Sequence, residues 1–253
     1  MAGWFDSHTH LDFWRIEQVP GVLSDARAAG IEKVLTVGRT VISSSANVWI
    51  ANRAETNGMV VAGVGIHPNW PEPLDDAAYK HLKELTKDDK VVAIAETGIG
   101  WGRAPETRDD QRIKLARHIQ LAREVGLPVV MHSDRQAGPD IAEIYEQEKG
   151  AEVGGVMHST MVDVDAARRI WEMGVFISIG FQINKEDYEY LEEVAREVPE
   201  DLLIIETDSA GGLGGGTPDK LIDVAEKVAS VRGISMDHLC EVNTRNINKL
   251  LHL

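Results

Sequence analysis

Two histidines two residues apart, His8 and His10, follow a short apolar opening run, and five further places repeat the pattern of apolar run and then polar ligand. Ile66-His67 follows residues 60–65, Glu96 follows 91–95, His132 follows 128–131, His158 follows 154–157, and Glu206-Thr207-Asp208 follows 202–205. Extended backbone turns side chains i and i+2 to one side, so His8 and His10 can reach one cation, with Asp6 placed to accept a hydrogen bond in support. Glu96 has two oxygens and can bridge two cations, which an imidazole cannot. His132 and His158 would complete the second cation across that bridge. Asp208 ends the last apolar run and would ligate the first cation. It can also take a proton from water, because a cation holds the carboxylate pKa low while bringing that of water toward about 7. Glu206 shares its orientation and reads as structural.

Three residues read as substrate contacts. His67, stiffened by Pro68, would sit on the rim as a donor to a substrate oxygen; Arg135 could hold an anionic group or pair with Asp134; Trp101 could stack on a base or pack under a lid. The remaining histidines, His81, His118, His238 and His252, lie in polar, helix-like stretches and read as surface residues. The glycine-rich run at 210–216 lacks the GxGxxG spacing and the GK[ST] ending, which leaves a mobile loop beside Asp208. No Ser-His-Asp set is identifiable.

Apolar runs at 3–6, 33–37, 59–65, 91–95, 128–131, 154–157, 175–179 and 202–205 alternate with segments of helical period. The runs show no polar alternation, as expected of a parallel sheet covered on both faces. Between them, residues 109–125 put Ile113, Ala116, Ile119, Leu121, Ala122 and Val125 mostly on one face, and Gly126 before Pro128 stops that helix. Eight such units in 253 residues predict a single-domain (β/α)8 barrel over residues 1–253, with functional side chains at the C-terminal ends of the strands. An open doubly wound sheet is the runner-up; it would divide its strand ends about a switch point.

The composition, 43% hydrophobic and 26% charged, is that of a soluble globular chain. Cys240 is the only cysteine, so any metal site is built from nitrogen and oxygen. A net charge of -15 argues against broad duplex binding through a basic face, although bound cations would neutralise acidic groups locally. No secretory leader and no run of eighteen apolar residues is present, so the expected location is the cytoplasm, with no membrane association and no inferable obligate protein partner.

With these residues in place the chain resembles the TatD family of metal-dependent hydrolases, within the amidohydrolase-like barrels. The resemblance spans the chain. It rests on Asp6-Ser7-His8-Thr9-His10-Leu11-Asp12, residues 29–38, Gly65-Ile66-His67-Pro68, Glu96-Thr97-Gly98, Gln111, residues 127–132, Glu206-Thr207-Asp208-Ser209 and Asn243-Thr244-Arg245-Asn246. It implies one metal on His8, His10, Glu96 and Asp208, a second on Glu96, His132 and His158, and hydrolysis of phosphodiesters in DNA, often from a 3′ end. His67 would then lie on the substrate side. The departures fall on the substrate rim. Asp134 stands where the family commonly has arginine, Ser159-Thr160-Met161 replaces a Cys-Phe-Gly type of turn, Ala210 and Gly211 replace proline and tyrosine, and Glu96-Thr97-Gly98-Ile99-Gly100 lacks the usual aspartate.

The expected function is therefore phosphodiester hydrolysis, in the manner of a 3′-5′ DNA exonuclease on single-stranded DNA, by a hydroxide held between two divalent cations. Catalysis would fall to Asp208 and Glu96. Imidazole-rich ligation favours Zn, Mn, Co or Ni over Mg. The alternatives are an amidohydrolase or lactonase using the same binuclear site on a small molecule, and a noncatalytic metal-binding scaffold.

Overall fold

The computed structural model describes residues 3–100, 107–211, 213–214 and 216–253. Eight parallel strands follow in chain order: β1 (Trp4–Thr9), β2 (Ile31–Val37), β3 (Val60–Val64), β4 (Val91–Ile99), β5 (Val129–Ser133), β6 (Gly155–His158), β7 (Phe176–Ile179) and β8 (Leu203–Ile205). The helices are α1 (Val19–Ala28), α2 (Val41–Ala51), α3 (Asp76–Leu85), α4 (Arg108–Val125), α5 (Gly138–Gln147), α6 (Val164–Trp171), α7 (Tyr190–Glu197), α8 (Leu221–Arg232) and α9 (Met236–Leu251). This is the (β/α)8 barrel expected from the alternation of apolar runs and amphipathic segments. Just beyond β8 the chain forms β9 (Ser209–Ala210), which pairs in parallel with β1 and antiparallel with β10 (Leu213–Gly214). The glycine-rich run therefore includes a short hairpin edge at the barrel mouth, not the open loop expected.

The seam between β8 and β1 is closed largely by side chains. The Asn243 amide accepts from the N–H of Ile205 at 3.0 Å and donates to the carbonyl of Phe5 at 2.8 Å, standing in for ladder bonds between the two strands. Asp6 accepts from the N–H and hydroxyl of Thr207, at 3.0 and 2.6 Å, and the N–H of Asp208 donates to the carbonyl of His8 at 3.0 Å. Asp6 therefore stitches the first strand to the last and does not support a ring of the His8-His10 pair. Burial pushes its carboxyl up to about 8, against the pull of the donated hydrogen bonds.

Two apolar layers hold the barrel. The larger packs the outer faces of the strands against the helices, and the smaller fills the interior with Phe5, Leu35, Val37, Val130, Val156, Phe176 and Ile204. Ile247, Leu250 and Leu251 of α9 join this interior layer, so the N-terminal end of the barrel is plugged. Val130, Val156 and Ile204 lie two residues before His132, His158 and Glu206, and strand alternation aims each of those polar groups inward, one layer above the apolar floor. In β1 a register irregularity between Asp6 and Thr9 interrupts the alternation; Ser7 then meets Glu206 while His8 and His10 both turn toward Glu96.

α4 departs from its expected face. Gln111, Lys114, Leu115, His118, Ile119, Leu121 and Ala122 are buried, whereas Ile113 is 59% exposed. The inward face is partly polar because it meets loop backbone at the barrel mouth. Gln111 accepts from the N–H of Gly100 at 2.8 Å, and Lys114 donates to the carbonyl of Trp70 at 2.8 Å. His118 accepts from the N–H of Ile66 at 3.1 Å and lies 3.0 Å from the Thr97 hydroxyl. His118 is thus fully buried, contrary to the surface reading, and braces the loop carrying His67 against the strand carrying Glu96. His81, His238 and His252 are exposed as expected.

Candidate metal centre

The ligand side chains lie closer to the barrel axis than apolar runs ending at loops implied. His8, Glu96, His132 and His158 all fall inside the last residues of their strands, with Glu96 well within β4. β5 and β6 pair in register His132 against His158, and Gly98 of β4 faces His132. Gly98 has a φ of +120°, and a Cβ there would lie 2.1 Å from the His132 carbonyl oxygen, so glycine is required for β4 and β5 to approach beside Glu96. Asp208, at a φ of +55°, adopts the left-handed turn that aspartate tolerates better than most residues, and so turns its carboxylate back over β1.

Glu96 occupies the centre. Its Oε2 lies 3.7 Å from His8 Nε2 and 3.6 Å from His10 Nε2, and Asp208 Oδ1 lies 3.9 and 3.4 Å from the same nitrogens. Its other oxygen, Oε1, lies 3.1 Å from His132 Nδ1 and 2.7 Å from His158 Nε2, which are 3.4 Å from each other. The two oxygens of one carboxylate therefore face two different pairs of imidazoles. Donors about 2.0–2.1 Å from a tetrahedral cation stand roughly 3.3–3.4 Å apart; the 3.4–3.9 Å separations on the His8–His10 side are near this and longer than most direct hydrogen bonds, while Glu96 Oε1 and His158 Nε2, 2.7 Å apart, are hydrogen-bonded. Among the described residues, both nitrogens of His8 and Oε2 of Glu96 are buried without a hydrogen-bond partner. Buried polar atoms left unpaired are costly, and a cation supplies the missing partner, so the residues present fit divalent metal.

Hydrogen bonds on the far nitrogens sort the imidazoles by role. His10 Nδ1 lies 3.1 Å from the Val37 carbonyl and His158 Nδ1 lies 2.9 Å from Glu206, and these acceptors keep the proton on Nδ1 and leave Nε2 a lone pair for metal. His67 is the reverse. Its Nδ1 accepts from the N–H of Asn69 at 3.0 Å, so neutral His67 carries its proton on Nε2, which faces Glu96 Oε1 at 3.3 Å. Although His67, Glu96 and His132 are close enough to form a ligand triad, this tautomer makes His67 a donor. Burial pushes its pKa down to about 4 and keeps it neutral. His67 is itself buried, deeper than the rim position expected.

Glu206 is saturated by donors. Oε1 accepts from His158 Nδ1 and, at 2.6 Å, from the N–H of Ser159; Oε2 accepts from Ser178 at 2.6 Å and from Ser7 at 3.3 Å. It orients His158 and is not free to join a cluster with His8 and His158. Glu206→Gln is expected to weaken cation binding at the His132–His158 side by about 10- to 100-fold while leaving the His8–His10 side in place, as measured by zinc titration.

Charge in the cation-free site is tightly shared. Burial by itself would raise Glu96, but the imidazoles of His67 and His158 hold it well below the usual carboxylate range. Burial would lower His158, but Glu206 and Glu96 raise it well above the ordinary histidine value of 6.5. His158 therefore holds a proton at neutral pH that a cation must displace. Affinity at that side is expected to rise by about tenfold per pH unit from 6.5 upward until the raised pKa is passed, and to fall on acidification. Zinc titration calorimetry in buffers of different ionisation enthalpy checks this, with about one proton released per ion at neutral pH.

The other substrate positions are less gathered. Arg135 is exposed, its guanidinium 4.6 Å from the Tyr190 ring centroid, and no contact among the described residues ties it to the cluster. Trp101 lies outside the described residues. Ser178 and Arg39 are not marked by any pattern in the sequence, and Asn243 stands out only through the family resemblance; Glu206, read as structural, is the partner of His158.

An α/β barrel with imidazoles and carboxylates converging at the C-terminal mouth defines a metal-dependent hydrolase. The chain belongs to the TatD family: the family model described as TatD related DNase matches residues 5–252. It is 33% identical to an uncharacterized metal-dependent hydrolase, YcfH, from Escherichia coli (strain K12), covering 98% of this chain and 95% of that protein. It is 30% identical to the Homo sapiens protein named deoxyribonuclease TATDN3, over 98% of this chain and 94% of that one. Its fold matches the crystal structure of YJJV, a TatD homolog from Escherichia coli K12, with a TM-score of 0.88 at 23% identity, covering 99% of this chain and 98% of that one. Among the described residues no helix is long and apolar enough to cross a membrane.

Proposed function

We propose that this hydrolase cleaves phosphodiester bonds, acting as a 3′-5′ exonuclease on single-stranded DNA, with two divalent cations held by His8, His10, Glu96 and Asp208 on one side and Glu96, His132 and His158 on the other. The observation that carries the reading is the division of Glu96, one oxygen toward each set of nitrogens. The DNase description of the family and the name of the human relative support the substrate class. When bound, the cations supply charge that polarises a phosphoryl oxygen and lowers the pKa of water.

The chain's own groups do the rest. His67 donates a hydrogen bond from its Nε2–H to a non-bridging phosphate oxygen, and being neutral it does so without adding charge beside the cations. Asp208 accepts the proton of the attacking water. Burial alone would raise its pKa, but the hydrogen bond with His10 and the surrounding imidazoles lower it, so the carboxylate is ionised and ready to accept at neutral pH. Asp208 is also the ligand side chain that reaches solvent most, at 24% exposed, as a group meeting an incoming water must. Arg135, stacked on Tyr190, extends the substrate contacts along the rim. The imidazole-rich donor set favours Zn, Mn, Co or Ni over Mg as the tightly held ions.

The test is nucleotide release from 3′-labelled single-stranded DNA with Mn2+ and with EDTA, comparing wild type with Glu96→Ala. Metal-dependent release that the substitution removes is the expected result. Absence of release, with turnover on a panel of amides or lactones, would move the same site to a small-molecule amidohydrolase or lactonase.

A further inference from the structure

Arg39, just beyond β2, is pinned to the two strands that carry the site. Its carbonyl accepts from the N–H of His67 at 3.0 Å, and the carbonyl of Gly38 accepts from the N–H of Glu96 at 2.8 Å. The guanidinium lies 3.8 Å from the Phe13 ring centroid and 4.8 Å from that of Trp70. Those rings connect directly to the site: Phe13 meets His10 edge-on at 5.8 Å, and Trp70 meets His67 at 5.9 Å. The cation thus stands two ring contacts away from both a metal-side imidazole and the donor proposed for the reacting phosphate.

Its hydrogen bonding is incomplete. One terminal nitrogen donates to Asp12 at 3.3 Å, and Asp12 is itself fixed by the Asn47 amide at 3.0 Å. Among the described residues Nε is buried with no hydrogen-bond partner, while the side chain as a whole keeps 15% exposure. Stacking on aromatic faces fixes a guanidinium and leaves its donors in the plane between them, where a phosphate takes two at once. Phe13 and Trp70 remain 36% and 38% exposed, enough ring surface for the bases that flank a phosphate in a nucleic-acid chain. In a chain of net charge -15, Arg39 places a guanidinium beside the site, held by one carboxylate, that of Asp12.

We propose that Arg39 is a specificity-determining residue that binds a second phosphate of the substrate, the one adjoining the phosphodiester held at the metal centre. The proposal rests on the phosphodiester reading above. It makes the enzyme selective for chains with a phosphate on the 5′ side of the scissile link over substrates with a single phosphodiester.

The experiment compares a thymidine dinucleotide with and without a 5′-phosphate, using zinc-loaded protein for binding and Mn2+ for turnover. Wild type is expected to favour the phosphorylated dinucleotide by about 10- to 100-fold in both Kd and kcat/KM, the worth of a pair of charge-assisted hydrogen bonds. In Arg39→Met the ratio should collapse toward one, and Arg39→Lys should restore only part of it, because an ammonium lacks the planar fork. Zinc stoichiometry measured on each variant shows whether the barrel mouth has formed. A wild-type ratio near one, or a ratio retained in Arg39→Met with zinc bound, overturns the proposal even if DNA is hydrolysed. Wild type inert on both bis(4-nitrophenyl) phosphate and DNA with Mn2+ overturns the phosphodiester reading, and this proposal with it.

Discussion

Exchanging Glu96 for glutamine is expected to reduce phosphodiesterase turnover by at least about 10³-fold and to lower bound zinc from two ions to one or none per chain. The side chain keeps its shape, but one end of the carboxylate becomes an N–H2 donor. Whichever way the amide turns, that donor faces either His8 and His10 or His132 and His158, whose nitrogens surround the two oxygens at 2.7–3.7 Å. One lone pair toward metal is lost on that side, and the negative charge shared by both sides is lost altogether. Turnover on bis(4-nitrophenyl) phosphate, paired with metal content after gel filtration, checks the result. Two ions retained with wild-type turnover would mean that Glu96 does not bridge.

The second large effect is expected at Asp208. Asp208→Asn should lower kcat by about 10²–10⁴-fold, the range for a lost general base, with the His132–His158 side still able to bind metal. Asparagine is the informative replacement because the backbone here has a φ of +55°, a conformation that asparagine also tolerates. Alanine would confuse the loss of a proton acceptor with a strained turn. The contribution of the carboxylate should also shape the pH profile. Its pKa is lowered, so the basic form persists down through the ordinary carboxylate range and is lost only on strong acidification. The acid limb of kcat/KM near neutrality should instead report cation binding against the His158 proton and remain in Asp208→Asn. Stopped-flow turnover at a fixed, subsaturating Mn2+ concentration from pH 5 to 9 separates the two: an acid limb that vanishes in Asp208→Asn would assign it to the aspartate.

His118 and Asn243 mark the boundary of what a linear reading can reach. His118 lies among charged neighbours in α4, and nothing in that stretch says that its ring points between the Ile66 loop and Thr97 of β4; packing of α4 against the barrel mouth decides it. Asn243 lies 38 residues from Ile205 and 238 from Phe5, yet it bonds to the backbone of both. Its role exists only once the first and last strands meet. Asp6 was misjudged for the same reason, because its partner Thr207 is 201 residues away and no local pattern competes with the adjacent His8 and His10.

The sequence by itself determined the barrel, its eight strands and the polar residues at six of the strand ends, because burial on both faces demands unbroken apolar runs and a polar residue at the end of one stands out. It determined that any cation must be held by nitrogen and oxygen, since Cys240 stands alone. Only the tertiary structure decided how the ligands are shared. Which oxygen of Glu96 faces which imidazole, that His67 presents a proton while His10 and His158 present lone pairs, and that Glu206 is already filled by four donors are consequences of strand register and of hydrogen bonds between distant segments. A tautomer is set by the partner on the ring's other nitrogen, and that partner comes from another strand.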